Sequence, residues 1–240
     1  MYSIYMWAVI AAMTLVFGGG VVLFLPLTRH DRYYIWFQRT WGRAIVRLSG
    51  VKFTTAGIEQ LDPARPYVFV ANHQSYFDVF CLSAVLPHAF KYVAKRELLF
   101  VPFFGQVLWA TGHVIVNRGR HAAAVAAMAR AVARIRGGTS LLVFAEGTRS
   151  RDHRLGPLKK GGFLLAQKAG VAVVPVSITG THPLMPKGSL RFERSAVHLT
   201  VGRPVDPAGF SLEELIEQVR AEIIANFDEG SRERAANVHR

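Results

Sequence analysis

From Met1 to Thr28 the chain carries no charged side chain, and most positions are apolar: MYSIYMWAVIAAMTLVFGGGVVLFLPLT. Read as a helix, Ile4 to Leu27 measures roughly 36 Å, enough to cross a bilayer. Gly18-Gly19-Gly20 and Pro26 weaken a straight span. Residues 31–49 read as a second, amphipathic helix. The pattern then changes to short apolar, β-branched runs alternating with helical periodicity. Strands are expected at 67–71, 91–94, 113–116, 140–145, 172–178 and 196–201, and helices at 76–86, 97–109, 120–136, 160–169 and 211–227. Helix 120–136 is alanine-rich and stops at Gly137-Gly138, a suitable terminator. The last helix opens on Ser211-Leu212-Glu213-Glu214, a capping serine followed by a capping-box acid. Such alternation predicts an α/β fold, with a largely parallel central sheet flanked by helices. The 240 residues leave room for one such domain over 51–229 and an N-terminal two-helix element over 1–50. The tail, 230–240, is expected to fray.

Composition sharpens the reading of the N-terminus. Hydrophobic residues make up 51% of the chain and charged ones 19%, and the apolar excess is concentrated in that first segment. Directly after it come Arg29, Arg32, Arg39, Arg43 and Arg47, threaded through Tyr33, Tyr34, Trp36, Phe37 and Trp41. Aromatics and arginines together suit the headgroup level, and the arginine excess places this side in the cytoplasm. A cleaved signal peptide would begin with a basic stretch; a buried core helix is the other alternative, but this segment is long and apolar on every face. A two-helix element embedded in the inner membrane is the expectation.

Charge narrows the partner. Residues 29 to 205 hold 25 Lys/Arg against 8 Asp/Glu, while the last 35 residues contain eight acids. A basic body suits anionic lipid or nucleic acid. No RNA-binding aromatic signature, helix-turn-helix spacing or zinc-finger pattern is present, and the apolar segment favours lipid. Cys81 is the single cysteine, so neither an intrachain disulfide framework nor a cysteine zinc cluster can form.

Two stretches carry candidate chemistry. In VANHQSYFD, His73 follows an expected strand and Asp78 falls in the first turn of the next helix. In α/β sheets, working residues gather where strands end and helices begin. The spacing lets the Asp78 carboxylate accept a hydrogen bond from one imidazole nitrogen and fix the tautomer, so that the other nitrogen faces a cleft as a proton acceptor. Ser75-x-x-Asp78 is equally a capping box, and these residues alone leave the two readings even. In LLVFAEGTRSRD, a second strand delivers Glu146, Gly147, Thr148 and Arg149 to the same edge. Gly147 permits a tight turn, Thr148 offers a hydroxyl, and Arg149 presents a planar fork of donors suited to phosphate. Glu146 either orients Arg149, binds a substrate hydroxyl, or pairs with a neighbouring arginine in a loop salt bridge. Lys95 and Arg118 leave neighbouring strands; one such cation is ordinarily a solvated loop charge, but three with Arg149 read as an anion cradle, to which Lys159 and Lys160 either add or are plain surface charges. The stretch GPLKKGG lacks the G-K-[ST] ending of a P-loop.

Taken in order, H-x4-D at His73 to Asp78, AKRELLFVPFFG with GHVIVNR, FAEGTRS, and VAVVPVSITGT resemble the glycerolipid acyltransferase family, especially its bacterial 1-acylglycerol-3-phosphate acyltransferases. The resemblance covers most of residues 67 to 180. Two positions depart from the family's usual pattern, Ala145 where proline often stands and Asn117 where aspartate does. The resemblance implies acyl transfer from acyl-CoA or acyl-carrier protein to the 2-hydroxyl of lysophosphatidic acid. His73 and Asp78 would be catalytic, and Lys95, Arg118, Glu146, Gly147, Thr148 and Arg149 would bind substrate, with no metal or cofactor. It also implies two N-terminal helices that dip into the bilayer, with the glycine run as a bend. No G-x-S-x-G elbow is present, in keeping with direct transfer. The rival readings are another acceptor (lyso-ornithine lipid, a different lysophospholipid or glycerol 3-phosphate), a thioesterase, and a membrane scaffold with a vestigial site.

Overall fold

The structure is a computed structural model that describes residues 1–24, 31–116, 121–150 and 154–238. Its strands are β1 (Phe53–Ala56), β2 (Val68–Ala71), β3 (Phe90–Lys95), β4 (Val114–Val116), β5 (Ser140–Phe144), β6 (Val173–Thr179) and β7 (Val197–Val201). They form one sheet in the order β1-β7-β6-β2-β5-β3-β4. From β6 to β4 every neighbouring pair is parallel, β7 runs antiparallel to β6, and β1 is parallel to β7. All four residues of β2 are buried, because β2 lies mid-sheet with both faces covered. An unbroken apolar run is what that position demands. β1 was not expected from the sequence. Phe53-Thr54-Thr55-Ala56 is a short edge strand with three exposed residues, too brief and too polar to register as a run.

The helices are α1 (Tyr2–Phe24), α2 (Asp31–Ser49), α3 (Phe77–Val85), α4 (Phe104–Ala110), α5 (His121–Arg136), α6 (Gly161–Ala169) and α7 (Leu212–Val238). One core packs Phe69, Ala71, Tyr92 and Leu142 against Met6 of α1, Ile45 of α2 and Phe80 of α3. The second, on the opposite sheet face, packs Val68, Val70 and Leu141 against Ile135 of α5, Phe163 of α6 and Leu215, Val219 and Ile223 of α7. The helix expected at 97–109 is two pieces, a 3-10 turn at Arg96–Phe100 and then α4. Pro102 lies between them, and a proline inside a helix removes a hydrogen bond and clashes with the preceding turn. The last helix continues past the expected end at 227, to Val238.

α1 runs unbroken through the glycine run. Gly20 admits the Phe37 ring of α2, which would lie 2.7 Å from an added Cβ. Likewise Gly42 on α2 approaches the backbone of Phe80 and Ala84 on α3, where a Cβ would meet atoms at 2.7 Å. α1 is long and apolar enough to cross a membrane. One side packs on the domain, and the other exposes Ile4, Leu15, Val16, Leu23 and Phe24. Two arginines expected at the headgroups are engaged elsewhere. Arg39 donates to the carbonyls of Leu86 and Pro87, and Arg43 to that of Ala84 at 3.0 Å. They satisfy carbonyls left open at the end of α3, where a cation also suits the helix dipole. Arg29 lies outside the described residues.

His113, just before β4, ties α2 to the sheet. Its Nδ1 accepts the Tyr92 N–H at 2.8 Å, so the neutral ring carries its proton on Nε2, 2.9 Å from the Tyr34 hydroxyl. Burial, with the nearby Lys91 ammonium, lowers its pKa from 6.5 to about 3. The unfolded chain therefore takes up this proton first. His113 contributes stability above pH 6.5 that drains as pH falls toward about 3. The slope approaches about 1.4 kcal/mol per pH unit. Thermal unfolding in detergent is expected to show that acid-side loss in the native protein, and a His113→Gln variant is expected to lack it.

Candidate active site

β2 and β5 are neighbours in the centre of the sheet, and their C-terminal ends deliver the candidate residues to one edge. After β2 the chain is fixed by Asn72, whose side chain donates to the Ile178 carbonyl at 2.9 Å and accepts from the Ile178 N–H at 2.7 Å. That clamp to β6 sets the direction in which His73 leaves the sheet. His73 then bonds at both backbone ends. Its N–H donates to Glu146 Oε1 at 2.9 Å, and its carbonyl accepts from the Ser150 N–H at 2.8 Å.

The imidazole is held on two sides. Nδ1 lies 2.8 Å from Asp78 Oδ2. The ring lies flat on Phe144, with centroids 3.8 Å apart and planes 16° from parallel. Asp78 is fully buried and accepts only, so Nδ1 carries the proton and Nε2 is the basic nitrogen. Among the described residues no other side chain bonds the ring, and His73 lines a cleft of about 330 Å³.

Asp78 does both jobs that its spacing allowed. Oδ2 also accepts the N–H groups of Gln74 and Ser75 at 2.8 and 2.9 Å, and Oδ1 accepts the Thr181 hydroxyl. The capping contacts and the histidine contact are one arrangement: the carboxylate is fixed by the turn whose histidine it orients. Ser75 caps less directly than expected, its hydroxyl accepting from the Phe77 N–H at 3.1 Å while the helix begins after Tyr76.

Among the described residues Glu146 pairs with no arginine, Arg149 included. It is buried, with Oε1 on the His73 N–H and Oε2 on the Gly156 N–H at 3.0 Å. Burial pushes its carboxyl above the usual range, against the lowering effect of those two bonds. It braces the loop that carries His73. Gly147 adopts φ 70°, the left-handed turn that ends β5 and that glycine enters without strain.

Lys95, Gly147, Thr148 and Arg149 line the cleft with His73. The Arg149 guanidinium stacks on the Tyr76 ring at 3.7 Å, which holds it in place without consuming its donors. Arg118 lies outside the described residues. A cation that sequence reasoning passed over completes the rim: Lys187 donates to Thr148 Oγ1 at 2.9 Å and reaches the cleft from the segment after β6. Phe144, Asn72 and Thr181 were missed as well. Each acts through a partner distant in sequence, so no local pattern marks them.

A family model described as acyltransferase matches residues 52–179. The chain belongs to the acyltransferase family. A chloroplastic 1-acyl-sn-glycerol-3-phosphate acyltransferase from Arabidopsis thaliana, LPAT1, is 33% identical over 210 residues, 87% of this chain and 57% of that one. The 1-acyl-sn-glycerol-3-phosphate acyltransferase of Salmonella typhimurium is 33% identical over 167 residues, 69% of this chain and 67% of its own length. Across the first three curated relatives, the chain spans about half of their length, 57%, 41% and 52%. The crystal structure of the acyltransferase PlsC from Thermotoga maritima superposes with a TM-score of 0.84 at 30% identity, covering 95% of this chain and 94% of that one. Family membership thus agrees with the mostly parallel sheet and with the H-x4-D and EGTR stretches that end at one cleft.

Proposed function

We propose that this acyltransferase moves a fatty acyl group from acyl-CoA or acyl-carrier protein to the 2-hydroxyl of 1-acylglycerol 3-phosphate, forming phosphatidic acid. The observation that carries the reading is the His73–Asp78 pair, open to a cleft whose rim holds Lys95, Arg149 and Lys187. The names of the relatives supply the acceptor, and the cations suit its phosphate. His73 Nε2 takes the hydroxyl proton as the oxygen attacks the thioester carbonyl. Asp78 supports the imidazolium. The tetrahedral intermediate then collapses, the C–S bond breaks, and the imidazolium returns the proton to the departing thiolate. Val79, Tyr92, Phe104 and Leu108 line both the cleft and a small adjoining cavity beneath α1 and α2, and give the acyl chain an apolar wall to lie against. No metal or cofactor is required for these steps. The apolar α1 and the basic, aromatic α2 support a location at the cytoplasmic face of the inner membrane.

The test is labelled transfer in liposomes with both donor types. Lysophosphatidic acid is compared with monoacylglycerol, lyso-ornithine lipid and glycerol 3-phosphate. Preference for the phosphate-bearing lysolipid is expected, and equal use of monoacylglycerol would leave the cation rim without a purpose. Full-rate release of free fatty acid with no acceptor present would turn the assignment to a thioesterase. Arg149→Ala is expected to raise KM for lysophosphatidic acid by roughly 10- to 100-fold, as loss of a charge-assisted contact implies, with a smaller change in kcat and none for a phosphate-free acceptor.

A further inference from the structure

Between β3 and α4 the chain leaves large apolar side chains in the open. Phe100 is 75% exposed, Phe103 56% and Trp109 78%. Val101 is exposed beside them. Single apolar residues on a surface are ordinary, whereas four large ones exposed within ten residues of chain call for an explanation.

The backbone is held in a costly shape at this point. Phe103 has φ 61° and ψ −48°, and among the described residues no other non-glycine has positive φ. The Phe104 N–H donates to the Pro102 carbonyl at 2.7 Å, which makes the turn a γ-turn of the rare, strained form. Gly105 beneath it is so tightly seated that a Cβ would lie 2.0 Å from the Leu99 carbonyl oxygen. Strain kept at an exposed phenylalanine signals a use for that ring outside the folded domain.

The stretch is continuous with α1 on one side and with the cleft on the other. An added Cβ on Gly18 of α1 would stand 3.2 Å from Val107 of α4. Phe17 and Val21 share an apolar cavity with Phe104 and Leu108. Nearby α1 exposes Leu15, Val22, Leu23 and Phe24. Leu98, Phe104 and Leu108 also line the cleft that holds His73. Lys95, Arg96 and Glu97, all exposed, precede the apolar stretch, so the apolar foot begins at a charged edge with one net positive charge, of the kind that stays at the headgroups.

We propose that the segment from Phe100 to Trp109 is a second membrane-inserting element, seated in a lipid leaflet beside α1, which opens the mouth of the cleft onto that leaflet. A lipid acceptor then reaches His73 by lateral diffusion without crossing water. The insertion stands on exposure, strain and continuity with α1; the delivery of acceptor rests on the acyl-transfer reading of the cleft.

The two halves separate experimentally. Cys81, the single cysteine, is fully buried and its thiol is held well above the ordinary range by burial. A thiol-reactive fluorophore therefore goes to a cysteine introduced by Phe100→Cys or Trp109→Cys. On vesicles of phosphatidylcholine and phosphatidylglycerol, nitroxides on the lipid chains are expected to quench both labels more than aqueous iodide does. A label from Lys168→Cys on α6 is expected to show the reverse. Iodide reaching positions 100 and 109 of the membrane-bound protein as freely as 168 would overturn the insertion. So would a concentration-dependent dimer that shields both labels without lipid. For delivery, Phe100→Asp with Trp109→Asp should lower transfer to vesicle-embedded lysophosphatidic acid by about tenfold or more. A short-chain, monomeric acceptor should be used within about twofold of the native rate, since only partition is affected. Equal loss on both acceptors overturns the delivery role. Absence of transfer by the native protein with lipid quenching intact counts against the acyl-transfer reading alone.

Discussion

His73→Ala is expected to abolish acyl transfer to lysophosphatidic acid while the protein stays folded. Removal of a general base of this kind costs roughly 10²- to 10⁴-fold in rate, and that range carries the residual activity to the edge of detection. On the proposed reading the loss appears in kcat, because the cations that would hold the phosphate, Lys95, Arg149 and Lys187, act through no atom of the imidazole. Survival of the fold follows from how His73 is anchored. Its N–H to Glu146 and its carbonyl to Ser150 are backbone bonds that alanine keeps. Asp78 retains the N–H groups of Gln74 and Ser75 and the Thr181 hydroxyl. What disappears is one hydrogen bond and the stacking on Phe144, together about 1–2 kcal/mol. Labelled transfer, run alongside thermal unfolding in detergent, checks both halves. Native-level transfer by a folded variant would strip His73 of the general-base role, whereas biological activity retained without any transfer would return the chain to the scaffold reading.

The parts of this site that can be seen in the sequence are those whose partners are close in the chain. His73 and Asp78 lie within one strand-to-helix junction, so their spacing already implies contact. Gly147, which must enter the left-handed region, stands in a stretch that reads as a turn. Glu146 shows the limit. Its carboxylate spans the backbone of His73 and Gly156, and backbone acceptors and donors leave no mark on residue type, so a buried brace reads like an exposed acid. Lys187 and Thr181 belong to the segment after β6, and only the parallel placement of β6 beside β2 brings Lys187 to the cleft and Thr181 to Asp78. In the fold, the central strands were legible because burial on both faces demands continuous apolar runs, and β1 was not, because an edge strand needs none. The break before α4 had a visible sign in Pro102. The γ-turn that follows it had none, since phenylalanine is not a residue whose presence suggests positive φ.

Asp78→Asn separates orientation from charge. The carboxylate gathers three donors on Oδ2 (the Gln74 and Ser75 N–H groups and His73 Nδ1) and the Thr181 hydroxyl on Oδ1. An asparagine can keep this geometry in only one orientation, with its oxygen toward the three donors and its NH₂ toward Thr181, whose hydroxyl can accept. In that orientation the turn survives and the histidine tautomer is preserved, at a stability cost of about 1–3 kcal/mol as charge-assisted bonds become neutral ones. The negative charge is gone, and the imidazolium that forms during attack must stand without it. The expected loss in kcat is about 10²-fold if the tautomer holds, and up to roughly 10⁴-fold if the amide turns its NH₂ toward His73 and moves the ring proton to Nε2. Asp78→Ala is expected to behave differently. It leaves two buried N–H groups without an acceptor, at about 1–3 kcal/mol each, so the turn itself loosens and KM changes along with kcat. A melting curve and a kcat/KM pair for the two variants therefore distinguish the carboxylate's electrostatic part in catalysis from its structural part in the turn. Full activity in a folded Asp78→Asn protein would reduce Asp78 to a cap.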